Sequence, residues 1–101
     1  MRKRAKIDNN QSEIVAALRA IGCSVLILSQ MGDGLTDLLV GRYSIKYKTE
    51  FNWLIEVKNP EAKGKLTSEQ KKFFEGWRGQ KAVVWNIKQA MQLILGEYNE
   101  K

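Results

Sequence analysis

The chain has 101 residues, which suits one domain with a single core and leaves no room for a second domain. Hydrophobic residues at 44% and charged residues at 28% are ordinary for a soluble globular protein, whereas the net charge of +6 favours a polyanionic partner such as nucleic acid. An acidic protein or membrane surface would also satisfy this charge. Histidine is absent, which excludes histidine general bases and leaves carboxylates to carry any metal chemistry.

Residues 1–8 are basic, and we expect them to form a flexible arm. No apolar segment follows them, and the longest apolar run, Val25 to Leu28, is too short to span a bilayer. The single cysteine, Cys23, cannot form an internal disulfide. We therefore expect a cytoplasmic location and no membrane partner.

The first predicted helix covers about residues 11–21, with Asn10 as its N-cap and Gly22 at its end. Glu13 stands three residues after Asn10, where an acid caps a helix start and meets the positive end of its dipole. A structural role at the helix start is therefore sufficient to explain Glu13, without a catalytic or metal-binding one.

A strand is predicted at Ser24–Gln30, followed by a glycine-rich turn in which Asp33 reads as a turn former. Asp37 then opens a second strand, 37–43, of leucine and valine. A carboxylate at the start of an apolar strand needs a further explanation.

A third strand, Trp53–Lys58, places Trp53, Ile55 and Val57 on one face and Glu56 with Lys58 on the other. A hairpin through residues 44–52 would set Asp37 opposite Val57 or Lys58. Two acids and one lysine then converge. Half-buried paired carboxylates need a cation, and oxygen ligands suit Mg²⁺ or Mn²⁺.

Several lysines are candidates for contact with a sugar-phosphate backbone. Lys46 and Lys48 accompany aromatic residues in the hairpin connection, which would look the same as a solvated hairpin tip. The others lie in the loop after Pro60 and on the next helix: Lys63, Lys65, Lys71 and Lys72.

The second helix begins after Thr67, its predicted N-cap, with Gln70 at the capping-box position. Phe73, Phe74 and Trp77 form its predicted buried stripe. A fourth strand at 82–85 lies parallel to the Glu56 strand, and Asn86 caps a last helix over 87–95. The order αβββαβα predicts an α/β fold with a mixed central sheet flanked by helices.

Asp37 followed by Glu56-Val57-Lys58 resembles the Asp…Glu-x-Lys motif of the PD-(D/E)XK nuclease superfamily. The continuation to Leu66-Thr67-Ser68-Glu69-Gln70 resembles its small stand-alone VRR-NUC-type nucleases, in order over nearly the whole chain. One departure is Thr36, where the motif has proline. That position shapes the backbone and binds no metal.

The resemblance implies a restriction-endonuclease-like αβββαβ core in one domain, 1–101. It also implies Mg²⁺ or Mn²⁺ held by Asp37, Glu56 and the carbonyl of Val57, with Glu13 approaching the metal, often through water. Lys58 would position the attacking water or neutralise the transition state, and Gln70 would orient the scissile phosphate.

We therefore expect a metal-dependent, structure-selective endonuclease, a homodimer that acts on branched DNA such as a four-way (Holliday) junction. If a phage encodes it, the location is the host cytoplasm. The alternatives are a flap or single-strand nuclease, a nucleic-acid-binding module without chemistry, and a domain that binds an acidic protein. Glu56 and Lys58 alone would also fit a surface ion pair.

Overall fold

The computed structural model describes residues 9–31, 35–59 and 66–96, so the basic arm 1–8 lies outside the described residues. Within these ranges a four-stranded mixed sheet is combined with three helices, which confirms the predicted α/β class. The elements follow in the predicted order: α1 (Asn9–Ala20), β1 (Ser24–Ile27), β2 (Leu38–Ser44), β3 (Thr49–Val57), α2 (Ser68–Gly76), β4 (Lys81–Val84) and α3 (Ile87–Leu95). No helix in this part of the chain is long and apolar enough to cross a membrane.

The strands lie side by side in chain order, β1-β2-β3-β4. The pairs β1/β2 and β2/β3 are antiparallel, and β3/β4 is parallel, as predicted. A parallel pair needs a crossover connection, and the segment that contains α2 supplies it. The carboxyl end of β3 and the start of α2 are thereby brought together.

The hairpin between β2 and β3 is longer, and its turn shorter, than the sequence predicted. Pairing extends to Ser44 and Thr49, so only residues 45–48 form the loop. Alternating β-formers, among them Thr49 and Phe51, extend the strand through a segment whose polar residues had suggested a loop. Lys48 closes the turn with positive φ, 57°, and its N–H donates to the Ser44 carbonyl at 2.7 Å.

The hydrophobic core lies between one face of the sheet and the helices α1 and α3. Its buried members from the sheet include Leu38, Val40 and Ile55, and Ile14 and Leu18 of α1 are also fully buried. Burying a side chain of this size contributes roughly 1.5 to 3 kcal/mol. The opposite face of the sheet therefore remains for the polar residues at the end of β3.

Helix α1 begins at Asn9, so the prediction that Asn10 is its N-cap is wrong. Asn10 lies inside the first turn, where its side chain makes a tertiary contact described below. The helix ends at Gly22 as predicted, because Gly22 takes φ 96° and donates to the Arg19 carbonyl at 3.0 Å. The Cys23 N–H then donates to the Leu18 carbonyl, and the Cys23 side chain is buried, which raises the pKa of its thiol.

Helix α2 begins with the predicted capping box. Thr67 Oγ1 accepts from the Gln70 N–H at 3.1 Å, and Gln70 Oε1 accepts from the Thr67 N–H at 2.9 Å. The predicted buried stripe is wrong. Phe73 and Phe74 are only partly buried, and Trp77 is 43% exposed because the chain leaves the helix at that residue and its ring stacks on Phe73.

Helix α3 has the predicted limits. The Asn86 side chain accepts from the Gln89 N–H at 2.8 Å, and Gly96 ends the helix in the left-handed region with φ 75°. Ala90 and Ile94 are buried against the core. The strand before it is displaced by one residue from its predicted limits.

Candidate active site

Asp37 and Glu56 are neighbours across β2 and β3. The last pair of the ladder is Leu38 with Ile55, and continuing its register sets Asp37 opposite Glu56. Val57 or Lys58 had been predicted opposite Asp37, and the difference arises because the true loop, 45–48, is centred earlier than the predicted connection. Both carboxylates therefore lie on the sheet face away from the core.

Asp37 directly precedes β2, at the end of the ladder that pairs β2 with β3. Its Oδ2 accepts the Val57 N–H at 2.8 Å, and its own carbonyl accepts the Leu28 N–H at 2.6 Å. Burial raises the pKa of the Asp37 carboxyl, while the Val57 N–H and the Lys58 charge oppose that rise. Asp37 is thus held by both neighbouring strands.

Glu56 is the most deeply buried charged group of the site, with only 3% of its surface exposed. Its Oε2 accepts from Gln70 Nε2 at 2.9 Å and lies 3.4 Å from Lys58 Nζ. Burial raises its pKa to about 7, and the Asp37 charge adds to this effect while Lys58 opposes it. Glu56 Oε1 is buried without a hydrogen-bond partner among the described residues.

Gln70 joins the strand to the helix. Its Oε1 accepts from Lys58 Nζ at 3.1 Å as well as from the Thr67 N–H at 2.9 Å, and its Nε2 donates to Glu56. One amide therefore closes the helix cap and contacts both Lys58 and Glu56, while its predicted role in orienting the scissile phosphate stays a prediction. Glu56, Lys58 and Gln70 form one bonded group, and Asp37 lies beside it, bonded to the Val57 N–H.

The Val57 carbonyl faces the same side as Asp37. Lys58 donates its N–H toward β4, to the Val84 carbonyl at 3.0 Å, whereas Val57 donates its N–H to Asp37. The N–H and C=O of one residue in a strand point to the same neighbour. The geometry is consistent with this carbonyl as an oxygen ligand beside the two carboxylates.

These donors fit a hard divalent cation. Asp37 and Glu56 repel each other, Glu56 Oε1 is buried without a partner in the described ranges, and carboxylate with carbonyl oxygen is the donor set that Mg²⁺ prefers. Within residues 9–31, 35–59 and 66–96, however, no three His, Cys, Asp or Glu side chains come together to hold a metal. Glu13 is exposed on α1, and its role near a metal stays a prediction.

Helix α1 contributes contacts that the sequence did not predict. Asn10 Nδ2 donates to the Lys58 carbonyl at 3.0 Å, and its Oδ1 is buried without a partner among the described residues. Gln11 is buried and donates to Ser29 Oγ at 3.0 Å. A signal for Gln11 was present, because it precedes Ile14 and Leu18 at helical spacing and is thus a polar residue on an apolar stripe.

The lysines predicted to bind nucleic acid fall into separate regions. Lys71 and Lys72 are exposed on α2 directly after Gln70. Lys46 and Lys48 are exposed in the loop 45–48, and the strand between that loop and Glu56 spans roughly 23 Å at 3.3 Å per residue. The remaining two, Lys63 and Lys65, lie outside the described residues.

Comparisons of the chain with models of protein families, with curated proteins and with solved structures found no match.

Proposed function

We propose that this chain is a metal-dependent DNA endonuclease with a restriction-endonuclease-like fold. The observation that carries this proposal is the neighbouring pair of carboxylates, partly buried Asp37 and buried Glu56, with Lys58 and Gln70 both bonded to Glu56. Carboxylates that hold a divalent cation beside an ammonium group suit the hydrolysis of a phosphodiester, in which negative charge grows on the phosphate oxygens.

Electrostatics distinguishes this proposal from simple binding. A protein that only binds a polyanion loses affinity when carboxylates face its ligand. Asp37 and Glu56 lie on the sheet face away from the core, beside the lysines of α2, in a chain of net charge +6. Divalent cation binding turns this repulsive pair into a favourable one, which supports a hydrolytic role.

The residues have distinct roles in the proposed reaction. Asp37, Glu56 and the Val57 carbonyl would hold Mg²⁺ or Mn²⁺, which when bound acidifies water and polarises the scissile phosphate. Lys58 directs its ammonium at the phosphate or the attacking water and offsets negative charge there. Gln70 fixes the Lys58 ammonium and the Glu56 carboxylate relative to each other.

The substrate that we propose is branched DNA, such as a four-way junction, nicked symmetrically by a homodimer. One domain of 101 residues has little surface with which to hold several DNA arms, and a twofold protein matches a twofold junction. Lys71 and Lys72 would contact phosphates next to the cut, while Lys46 and Lys48 would contact DNA about two-thirds of a helical turn away.

The first experiment compares labelled four-way junction, flap and linear duplex DNA as substrates in Mg²⁺, Mn²⁺ and EDTA. We expect paired nicks near the junction that require the metal and are lost in Asp37→Asn. Lys58→Ala should lose cleavage while binding Mn²⁺ with affinity close to that of the unmodified protein.

Other results would change the assignment. Cutting of flaps alone would favour the flap nuclease. DNA binding without a cut in either metal would favour the binding module that does no chemistry. Cleavage by Lys58→Ala at the unmodified rate would remove Lys58 from the mechanism.

A further inference from the structure

The loop 45–48 carries two large side chains that the core does not use. Ile45 and Tyr47 are 77% and 63% exposed. The other two residues are Lys46 and Lys48, and Lys48 has φ 57° at a position where glycine or asparagine is the usual residue. A turn that is only solvated favours small polar residues. The composition of this loop therefore favours a role in binding.

Three aromatic rings line a groove between this loop and the end of α3. Tyr47 meets Phe51 edge to face with ring centres 5.9 Å apart, and the Phe51 ring centre lies 5.8 Å from that of Trp53. Apolar residues of α3, among them Leu93 and Leu95, also line the groove, which encloses about 350 Å³. Packing against the core explains Trp53, but it does not explain Tyr47, which is the most exposed of the three rings.

The charge of this groove indicates the class of its ligand. Arg42 and Lys46 line it, with Lys46 Nζ 5.2 Å from the centre of the Tyr47 ring, and no Asp or Glu is among the described residues that do so. Cations beside exposed rings suit single-stranded nucleic acid, because its phosphates pair with the cations while its bases stack on the rings. A duplex keeps its bases stacked on one another, so it would use the cations and leave the rings unused.

We propose that this groove binds an unpaired segment of DNA, with a base stacked on Tyr47 and phosphates against Arg42 and Lys46. The strand β3 separates the loop from Glu56 by roughly 23 Å, so the groove can hold a strand that leaves a DNA branch unpaired while the candidate site acts on the adjoining duplex. The choice of DNA over RNA rests on the proposed function, whereas the stacking site itself does not.

The test measures binding of fluorescently labelled oligothymidylate to the full chain by anisotropy, in EDTA so that no cleavage accompanies binding. The variants are Tyr47→Ala, Tyr47→Phe and Lys46→Ala. Tyr43→Ala is the matched control, because Tyr43 is 54% exposed on the same hairpin but lies on the other face of the sheet. Duplex DNA, oligouridylate and polyglutamate are measured as alternative ligands, and thermal unfolding checks that each variant is folded.

We expect Tyr47→Ala to weaken binding of oligothymidylate about tenfold, since stacking of a base on one ring accounts for a factor of this order. Tyr47→Phe, which keeps the ring, and Tyr43→Ala should both bind as the unmodified protein does. Lys46→Ala should reduce the salt dependence of binding by about one phosphate contact, whereas Tyr47→Ala should leave it unchanged. Binding of duplex DNA should be insensitive to Tyr47→Ala.

Equal effects of Tyr47→Ala and Tyr43→Ala on oligothymidylate binding, or no effect of either, would overturn the proposal. Polyglutamate that binds as tightly as oligothymidylate would overturn it in favour of an acidic protein, and tighter binding of oligouridylate would overturn the choice of DNA. If binding depends on Tyr47 but no DNA is cut in Mg²⁺ or Mn²⁺, the groove stands and the proposed nuclease function fails. If DNA is cut and Tyr47→Ala binds normally, the nuclease stands and the groove fails.

Discussion

Gln70 shows how one side chain can belong both to a helix cap and to the candidate site. Its Oε1 closes the capping box of α2 and also accepts from Lys58, and its Nε2 donates to Glu56. The cap was predicted from the Thr67-to-Gln70 spacing, and the resemblance placed Gln70 beside the site, where its role toward the phosphate stays a prediction. Neither indicated that one oxygen atom would serve both.

The two roles of Gln70 separate by mutation. Thr67→Ala removes the cap alone and should lower the free energy of unfolding by about 1 kcal/mol with little effect on cleavage. Gln70→Ala should lower stability by a similar amount and also reduce kcat, because Lys58 and Glu56 lose a shared partner. Denaturant unfolding and single-turnover cleavage measure the two effects. Equal cleavage by both variants would contradict a site role for Gln70.

Glu56 should make the metal-free protein less stable as the pH rises. Its pKa increases from 4.5 to about 7 on folding, so the native state keeps a proton that the unfolded chain loses in this interval. The stabilisation is complete below about pH 4.5 and is lost as the pH passes 7. A shift of this size corresponds to at most about 3 kcal/mol, and the raised pKa of Asp37 acts in the same direction.

Urea unfolding in EDTA between pH 4.5 and 8 measures this dependence. Glu56→Gln, which cannot ionise, should be less dependent on pH and more stable than the unmodified protein at pH 8. Saturating Mg²⁺ should also reduce the dependence, since a cation replaces the proton. A stability that rises with pH across this range in EDTA would refute the assignment.

Several site residues could be predicted because their chemistry conflicts with their surroundings. Asp37 and Glu56 are carboxylates in apolar strands, and the order of polar and apolar residues in the sequence is enough to reveal that conflict. Asn10 carried no such signal, and the apolar stripe that marks Gln11 as buried did not reveal its partner. Their contacts with Lys58 and Ser29 cross 48 and 18 residues, and polar residues at a helix start already have a local explanation as caps.

Among the elements, the two limits of α3, marked by a cap and a glycine, were predicted accurately, while the cap predicted for α1 and the hairpin limits predicted from polarity were not. Asn86 and Gly96 delimit α3, and both use side-chain or backbone conformations that few other residues provide. The hairpin of β2 and β3 had no such marker. Its turn was predicted too long, and the resulting register error displaced Asp37 from its true partner, Glu56.

The hairpin loop offers a test of backbone strain. Lys48 has φ 57°, a conformation that costs a residue with a Cβ atom roughly 1 kcal/mol and glycine nothing. Lys48→Gly should therefore raise the free energy of unfolding by about 0.5 to 1 kcal/mol. Lys46→Gly, at a neighbouring position without positive φ, is the control and should lower it. Thermal unfolding distinguishes the two, and a destabilised Lys48→Gly would contradict the assigned turn.

At the scale of the whole molecule, the α/β class and the mixed sheet could be predicted from the spacing of apolar residues. Segments in which they recur every second residue alternate along the sequence with segments in which they recur every 3.6 residues. The site could not be fully predicted because it is assembled from α1, β2, β3 and α2. Each element contributes one or two groups, so their relative placement depends on sheet register and on how α1 packs.

The proposed homodimer can be tested by its mass and by its products. Sedimentation equilibrium should give about twice the chain mass of 11.6 kDa. Mixing unmodified protein with an excess of Asp37→Asn should yield junctions with one nick, since each mixed dimer has a single working site. A monomeric mass, or paired nicks at undiminished frequency in the mixture, would contradict a two-subunit resolvase.

The buried Cys23 makes this chain its own conformational reporter. It is the only thiol in the sequence, it lies in the core directly after the Gly22 turn, and burial raises its pKa, which suppresses the reactive thiolate. A thiol reagent can therefore label the protein only when the packing of α1 against the sheet opens. Because α1 also carries Asn10, which contacts the Lys58 carbonyl, a labelling rate that falls when Mg²⁺ is added would show that the proposed cation binding restrains this helix.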